Sequence, residues 1–550
     1  MSQNLNLKKS AQLIQDGRKP FIKITFPFNR EDLDHVKSLS GRKFHGGQWP
    51  KFWTCPLKVD SVESLKWWGF KLDEKLEAFL EKKKLRIDKM KEDFQIPGLR
   101  GKLFPFQKKG VSFIEAKDGR ALIADEMGCG KTVQALAWLQ LHPEKRPAII
   151  VVPASLKLNW KREAHAWIDN PGTQVLSGTK TNTPLTGDII IINYDILSAW
   201  VGKLQQYNAQ VLITDECHLY KSNTAKRTKA VKMLGRKIPH IIALSGTPVV
   251  NRPVEMYNAL KLIDDTVVPN FWTYAQRYCS AKHNGFGWDF SGASHTEELH
   301  QKLTATIMLR RLKKDVLKDM PDKIYSILPI EIDNLKEYEH AEKDFISWVS
   351  KNKDEGAAKK ASNAEAFAQI EALKQLAIKG KIKQAIEWIE NFLDIDGKLV
   401  VFATHKNTID TLMQKFGNNR AVKIDGSVSG QARQDAVDKF QNDETCRLFV
   451  GNIKAAGVGL TLTAASNVAF LELPWTPGEL SQAEDRCHRI GQKNAVNVYY
   501  LIASNTIDEK IARMLDSKRK VLDSVLDGKE TEQESLLSTL INEYKEPNYV

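Results

Sequence analysis

The stretch 121–141 reads ALIADEMGCGKTVQALAWLQL, four apolar residues leading through a glycine-rich turn into a helical pattern. Residues 121–124 have the composition of a short buried strand. Gly128 and Gly130 permit the positive backbone angles of a tight turn and let its N–H groups approach a ligand, because no Cβ intervenes. Lys131 and Thr132 open a helix whose apolar stripe, Val133, Leu136, Ala137 and Leu141, has helical spacing. Unpaired N–H groups and a partial positive charge at a helix N-terminus suit phosphate. This is a P-loop in outline: amides for the α- and β-phosphates, Lys131 for the β- and γ-phosphates, and the Thr132 hydroxyl for Mg²⁺. Asp125 stands where the strict pattern has its first glycine.

From about residue 96, apolar strands alternate with helical stretches, the pattern of βαβ units and a parallel sheet. Strands are expected at 121–124, 148–152, 189–192, 211–214 and 241–244. The segments that follow them, DEMGCGKT, PASLKLNW, NYD, DECH and SGTP, put the polar motifs at the carboxyl ends of the strands. In open α/β sheets that edge binds ligands. Asp215 and Glu216 come directly after a buried apolar strand, where two acids are costly unless a cation or a reacting water meets them. Beside a P-loop they divide the work: Asp215 for Mg²⁺, and Glu216 for orienting and deprotonating the attacking water. His218 then links this site to the rest of its domain.

A second alternating unit has strands expected at 399–403, 422–425, 447–450, 467–473 and 496–502. It has no P-loop. It offers NIKAAGVGLTL, with Gly457, Gly459 and Thr461, and then QAEDRCHRIGQ at 482–492. Arg486 and Arg489 are three apart and share a face if that segment is helical. Arginines on one unit facing a nucleotide on the other would stabilise a phosphoryl-transfer transition state. Between the units, IMLRRLKKDVLKDMP is expected to carry Arg310, Arg311, Lys313 and Lys314 together on a helix, as a phosphate-facing surface or a solvated basic face. Residues 331–395 read as a helical connection, and the tail from about 505 as a charged amphipathic helix docked on the second unit.

Residues 1–95 differ in character, being rich in lysine and arginine with Trp49, Trp53, Trp67 and Trp68 in a short span. Residues 21–28 alternate as a strand, EDLDHVKSL reads as a helix and KFWTCPL as a second strand, so a small α+β module is expected. Basic residues interleaved with aromatics, Arg42 and Trp53 among them, can serve phosphates and exposed bases together. Tryptophans forming the core of a small domain under a solvated lysine face fit the same composition. The chain of 550 residues has a formal charge of +14 and a pI near 9.2, which favours a polyanionic partner, nucleic acid first. Its six cysteines are scattered with no C-x-x-C pair, so reduced thiols are expected and a zinc site is not. With no apolar leader and no run of about 18 apolar residues, the expectation is a soluble intracellular protein with no membrane partner.

LFPFQKKGV, DEMGCGKT, VVPASLKLNW, IINYDIL, DECH, SGTP, LVVFATHKNTID, KIDGSVSGQARQ, IKAAGVGLTLTAAS and QAEDRCHRIGQ occur in that order. Together they resemble the motifs of a Swi/Snf-type ATPase of helicase superfamily two, which writes its P-loop DEMGxGKT and so accounts for Asp125. The resemblance implies an α/β fold: two RecA-like parallel-sheet domains with helical insertions, at 96–330 and 396–550, joined by the helical 331–395 and preceded by the module at 1–95. It implies ATP and Mg²⁺ as cofactors in the cleft between the lobes. On the matching motifs, Gln107 would read adenine, while Asp125, Gly128, Gly130, Lys131, Thr132 and Gln482 would complete the nucleotide contacts. Thr132 and Asp215 would hold Mg²⁺, Glu216 would activate water, and Arg486 and Arg489 would be arginine fingers. His218, Ser245 and Thr247 would couple hydrolysis to lobe movement. Pro153, Ser155, Asn193, Tyr194, Gly457 and Thr461 would lie near the DNA track.

AKHNGFGWDFSGAS and IMLRRLKKDVLKDMP look most like the annealing-helicase branch, which acts on replication forks. LSGRKFHGGQWPKFWTCPL resembles a HARP-type module, a DNA-structure-binding element that would include Arg42 and Trp53. The implied function is a DNA-dependent ATPase that moves along the duplex without separating its strands and remodels or re-anneals forked or partly single-stranded DNA. An ATP-driven remover of DNA-bound protein such as RNA polymerase, and a nucleotide-gated DNA-binding scaffold, are the alternatives. Replication, repair or transcription proteins are the candidate protein partners. The expected state is a cytoplasmic monomer, at the nucleoid in a bacterium or in viral infection and in the nucleus of a eukaryote.

Overall fold

The computed structural model describes residues 8–515 except 17–18, 40, 48–50, 58, 82–93, 247–252, 269, 284–286, 291, 352–358, 396, 429 and 458. At the N-terminus β1 (Ser10–Asp16), β2 (Lys19–Thr25), β3 (Lys43–His45), β4 (Phe52–Pro56) and β5 (Lys71–Leu72) form a mixed sheet in the order β3-β4-β2-β1-β5. The helix Arg30–Ser38 starts at Asn29, whose side chain accepts from Glu31 N at 3.0 Å, and carries Glu31 and Asp32 in its first turn, where the helix dipole favours them. Val36 from this helix and Val62 and Leu65 from the helix Val59–Trp67 cover Ile22, Ile24 and Cys55 of the sheet. The expected small α+β module is thus present, with β1, β3, β5 and the helix Val59–Trp67 added: SAQLIQD lacks a clean alternation, and it is strand because its whole length pairs with β2.

In the first lobe β6 (Arg120–Ile123), β7 (Ala148–Val152), β8 (Thr173–Val175), β9 (Ile189–Asn193), β10 (Val211–Asp215) and β11 (His240–Leu244) follow in turn. A hairpin of β12 (Lys282–His283) and β13 (Trp288–Asp289) precedes β14 (Met308–Leu309). The sheet has the order β14-β6-β11-β10-β7-β9-β8, and every pairing in it is parallel. Ile149, Val151, Ile190, Ile192 and Leu212 enter one core cluster, while Ile150, Val152, Ile189, Ile191 and Ile213 enter another on the opposite face. Both faces are covered by helices, which is why the strands read as unbroken apolar runs.

The second lobe contains β15 (Lys323–Ile330), β16 (Leu399–Ala403), β17 (Ala421–Ile424), β18 (Leu448–Asn452), β19 (Asn467–Phe470) and β20 (Val496–Ala503). They form a second parallel sheet, ordered β15-β20-β19-β16-β18-β17. The α/β class with two parallel-sheet lobes therefore stands.

Some particulars differ from the sequence reading. Residues 323–330, placed with the first unit, form an edge strand of the second sheet and pair with β20 along all of Lys323–Ile330. An edge position tolerates Pro329 and leaves Ile324 and Ile327 exposed, so KIYSILPI lacks the signature of a buried strand. The helices Leu335–Lys351 and Lys359–Ile395, read as a connection, pack onto the second sheet. Tyr338, Ile370 and Leu373 join the cluster on one face, and Ala385, Ile389 and Leu393 that on the other. Arg310 and Arg311 are not helical, since the helix Lys313–Val316 begins after them. The tail beyond residue 515 lies outside the described residues, but its start, 507–515, is helical, with Ile507, Ile511 and Leu515 in the second lobe's core.

Candidate active site

The carboxyl ends of β6, β7 and β10 face residues 459–490 of the second lobe across a cavity of about 370 Å³. Its floor is the P-loop. Gly128 (φ +87°) and Gly130 (φ +72°) take left-handed conformations, and Gly130 leads into the helix Lys131–Leu141. Lys131 and Thr132 line the cavity, with Lys131 Nζ folded onto the carbonyls of Asp125 and Glu126 at 2.9 and 3.3 Å. Gln107 also lines it, but its amide is engaged within the protein: Oε1 accepts from Phe104 N at 3.0 Å and Nε2 donates to Cys129 O at 3.3 Å. In this arrangement Gln107 braces the P-loop against the helix Pro105–Ala116.

Asp215 closes β10 inside the cavity. Its Oδ2 accepts from Trp160 Nε1 at 2.8 Å, and its Oδ1 accepts from Glu216 N at 3.0 Å. Burial, and then the adjacent Glu216 charge, push the Asp215 carboxyl up to about 6. Burial also raises Glu216, opposed by Lys131 and Arg486. Two buried acids that repel each other favour protonation of one of them or a nearby cation. Glu216 sits at φ +50°, a conformation costing about 1–2 kcal/mol for a side-chain-bearing residue. That turn directs it into the cavity and away from the strand face. Ser245 Oγ donates to Glu216 Oε2 at 3.5 Å, and His218 Nδ1 lies 3.3 Å from both Ser245 Oγ and Glu216 Oε2. Burial brings His218 down to about 4, so its ring is neutral at physiological pH.

The second lobe supplies two guanidinium groups. Arg486, 2% exposed, donates from Nε to Gln482 O at 2.7 Å and from Nη1 to Leu460 O at 3.4 Å. Arg489 donates from Nε to Asp485 O at 3.0 Å and from Nη1 to Thr461 Oγ1 at 3.2 Å. Both line the cavity with Lys131 and Glu216. They come from turns after the helix Pro477–Glu484, not from one helical face. The lobes touch here: a Cβ on Gly128 would lie 3.3 Å from His488 O, and one on Gly459 only 1.5 Å from Leu156 Cδ2.

Several expected contacts lie elsewhere. Asp125 is fully buried and does not line the cavity. Its carboxylate takes Arg311 at both oxygens and Gln134 Nε2 at 3.1 Å, so it anchors the loop from behind. Gln482 is 5% exposed on its helix and also lies off the cavity wall. Tyr194 is buried with its hydroxyl donating to Asp215 O at 2.6 Å, and the Asn193 side chain donates to Asp195 at 3.1 Å; neither is presented to a DNA backbone. Thr461, expected at the DNA track, lines the nucleotide-sized cavity and holds Arg489. Gly457 closes the helix Ile453–Ala456, donating to Ile453 O at 2.8 Å. Pro153 and Ser155 are half-buried in the turn that puts Leu156 on the cavity. Thr247 lies outside the described residues. Arg42 is exposed and Trp53 half-buried, its ring 5.0 Å from that of Phe44.

Sequence reasoning missed one wall. Asn159, Glu163 and Trp167 line the cavity from the helix Lys157–Trp167, with Trp167 Nε1 donating to Glu163 Oε2 at 3.1 Å. Their spacing of four residues was the available signal.

The donor set fits Mg²⁺ shared with a polyphosphate. Thr132 and Asp215 offer hard oxygens in a cavity lined by P-loop residues, and among the described residues no group of three or more His, Cys, Asp or Glu could hold a metal alone. No helix among the described residues is long and apolar enough to cross a membrane.

The SNF2-related domain model matches residues 106–382 and the helicase conserved C-terminal domain model residues 380–491. The human protein described as "DNA annealing helicase and endonuclease ZRANB3" is 36% identical over 80% of this chain and 41% of its own. A Caenorhabditis elegans homolog of "SWI/SNF-related matrix-associated actin-dependent regulator of chromatin subfamily A-like protein 1" is 36% identical over 78% of this chain and 62% of its own. The chain thus spans less than two thirds of the length of these relatives. The solved "Sulfolobus solfataricus SWI2/SNF2 ATPase core in complex with dsDNA" matches 79% of this chain and 95% of its own at 25% identity, with a TM-score of 0.39.

Proposed function

The chain belongs to the SNF2-related family of superfamily-two ATPases, and from that premise we propose that it is a Mg²⁺- and DNA-dependent ATPase that moves along duplex DNA and remodels or re-anneals branched DNA. One observation carries the catalytic half of this reading: Lys131, Thr132, Asp215 and Glu216 from one lobe and Arg486 and Arg489 from the other line a single cavity. The P-loop amides and Lys131 bind the triphosphate, and Glu216, set in place by its backbone turn and by Ser245, orients and deprotonates the attacking water. Thr132 and Asp215 would hold Mg²⁺, which when bound neutralises charge on the β- and γ-phosphate oxygens. Arg486 and Arg489 stabilise the charge that spreads over the transferred phosphoryl group.

Because the arginines and the P-loop sit on different lobes, hydrolysis requires closure and product release requires opening. A lobe movement repeated once per nucleotide is what a motor needs. The DNA-remodelling half is supported by the relatives whose names describe DNA annealing helicases, and by the formal charge of +14. The basic N-terminal module, which lies before the residues matched by the family models, is proposed as the element that selects DNA structure. Phosphate release is to be measured without DNA and with single-stranded, duplex and forked DNA. Stimulation by duplex and forked DNA supports the proposal, and a rate indifferent to DNA contradicts it.

A further inference from the structure

Arg310, Arg311 and Lys313 were legible in the sequence only as a basic cluster, and the hydrolytic scheme above does not use them. Their placement gives them a task. Arg310 donates to Ala124 O at 3.1 Å and Arg311 to Asp125, both at the root of the P-loop. Lys313 N donates to Glu126 Oε2 at 2.8 Å, and its Cε lies 3.3 Å from where a Cβ on Gly128 would stand. Lys313, only 3% exposed, then reaches out of its own lobe: Nζ donates to Asp485 Oδ1 at 2.7 Å, to His488 O at 2.9 Å and to His488 Nδ1 at 3.2 Å. Asp485 and His488 flank Arg486 and precede Arg489, whose Nε donates to Asp485 O. His488 is itself fixed, Nε2 donating to Pro321 O at 2.7 Å.

Burying an ammonium is expensive, and here two of them face two buried carboxylates: Lys323 Nζ, from the second lobe itself, lies 2.7 Å from Asp485 and 2.9 Å from Glu484, and Lys313 supplies the second positive charge from the first lobe. Lys313 thus balances a charge of the second lobe from the first, and the buried pair it forms with Asp485 spans the lobes.

We propose that Lys313 is a positioning residue for hydrolysis: it ties the segment carrying Arg486 and Arg489 to the P-loop, so that closure delivers both guanidinium groups in one fixed geometry. This rests on the ATPase reading given above. Lys313 does not line the cavity and acts through the arginines, so its loss lowers kcat and leaves ATP binding by the first lobe in place.

The test is DNA-stimulated phosphate release by the full chain carrying Lys313→Met, Arg489→Gln or both, with dyes on the two lobes to report closure. Lys313→Met is expected to lower kcat about 10- to 100-fold, the scale of a misplaced catalytic group. KM for ATP should stay within about twofold, and the closed population on adding ATP should fall. On the Arg489→Gln background the same change should cost less than its full factor, because one of the two groups it positions is gone. Lys313→Gln, which keeps a polar end at this buried site, serves if Lys313→Met does not fold. An unchanged kcat, a loss that multiplies in full with Arg489→Gln, or unaltered closure would overturn the proposal. A wild-type chain without ATPase activity would overturn the ATPase reading instead, and the closure measurement would still decide the role of Lys313.

Discussion

Replacing Arg489 by glutamine separates catalysis from binding, and the structure sets the size of the effect. The guanidinium lines the same cavity as Lys131 and Glu216 and carries a full charge into a site enclosed by both lobes. A unit charge about 4 Å from a developing negative charge, at an effective dielectric of about 20, is worth about 4 kcal/mol. That corresponds to about 10³ in kcat, the lower end of the range for arginine fingers. The structural cost is smaller. Arg489 gives up hydrogen bonds to Asp485 O and Thr461 Oγ1, at about 1 kcal/mol each. Part of that is offset, because burial and then Arg489 itself hold the neighbouring Arg486 below its ordinary pKa. Phosphate release at saturating duplex DNA should therefore fall about 10³-fold, while a fluorescent ATP analogue still binds the P-loop. A kcat near that of wild type, or nucleotide binding lost in step with turnover, would refute this reasoning.

Glu216→Gln should stop hydrolysis while retaining ATP, measured as nucleotide that stays bound through gel filtration; release of phosphate at the wild-type rate would contradict the role given to Glu216. Trp160→Phe removes the N–H that Asp215 Oδ2 accepts, and loss of such a support raises the Mg²⁺ needed for half-maximal ATPase about tenfold; an unchanged Mg²⁺ titration counts against Asp215 as a Mg²⁺ ligand. In the second lobe His405 Nδ1 lies 2.9 Å from Glu472 and Nε2 3.3 Å from Glu371. Hydrogen bonds to Glu371 and then Glu472 raise His405 from 6.5 to about 9. Burial alone would raise Glu472, yet the His405 hydrogen bond and charge bring it from 4.5 down to about 2. A raised histidine stabilises fully below 6.5 and loses its effect as pH rises through 9, whereas the depressed Glu472 stabilises fully above 4.5 and loses its effect as pH falls through 2. The difference in Tm between wild type and His405→Gln should be largest from pH 4.5 to 6.5 and close towards pH 9; a difference that grows with alkalinity would contradict the pairing.

What could be read from the sequence was local chemistry. The P-loop glycines, the acids ending β10 and the alternating apolar runs carry their meaning within a few residues, and β6, β7, β9, β10 and β11 fall where those runs lie. What could not be read depends on partners far along the chain. Arg311 and Asp125 are 186 residues apart, and Lys313 and Asp485 are 172, so a cluster that looks like a phosphate-binding surface is in fact occupied in holding the P-loop and the second lobe. Asp125 looked like a nucleotide contact because it begins the motif; its burial behind the loop follows from Arg311, which sequence cannot place. Tyr194 likewise looked available at a strand end, and packing turned its hydroxyl onto Asp215 O. The wall formed by Asn159, Glu163 and Trp167 was within reach, because a tryptophan on the same every-fourth-residue stripe as Asn159 and Glu163, beside the buried Trp160 and Ala164, marks a helix face turned to something other than solvent.

The central claim is that the nucleotide held by the first lobe is completed by arginines from the second. An experimental structure of the chain with duplex DNA, Mg²⁺ and ADP–aluminium fluoride tests it most directly. The account predicts the guanidinium groups of Arg486 and Arg489 at about 3 Å from the fluoride or β-phosphate oxygens, with Lys131 on the opposite side. A transition-state mimic bound at Lys131, with both arginines still facing the Leu460 and Thr461 side and out of its reach, would contradict it.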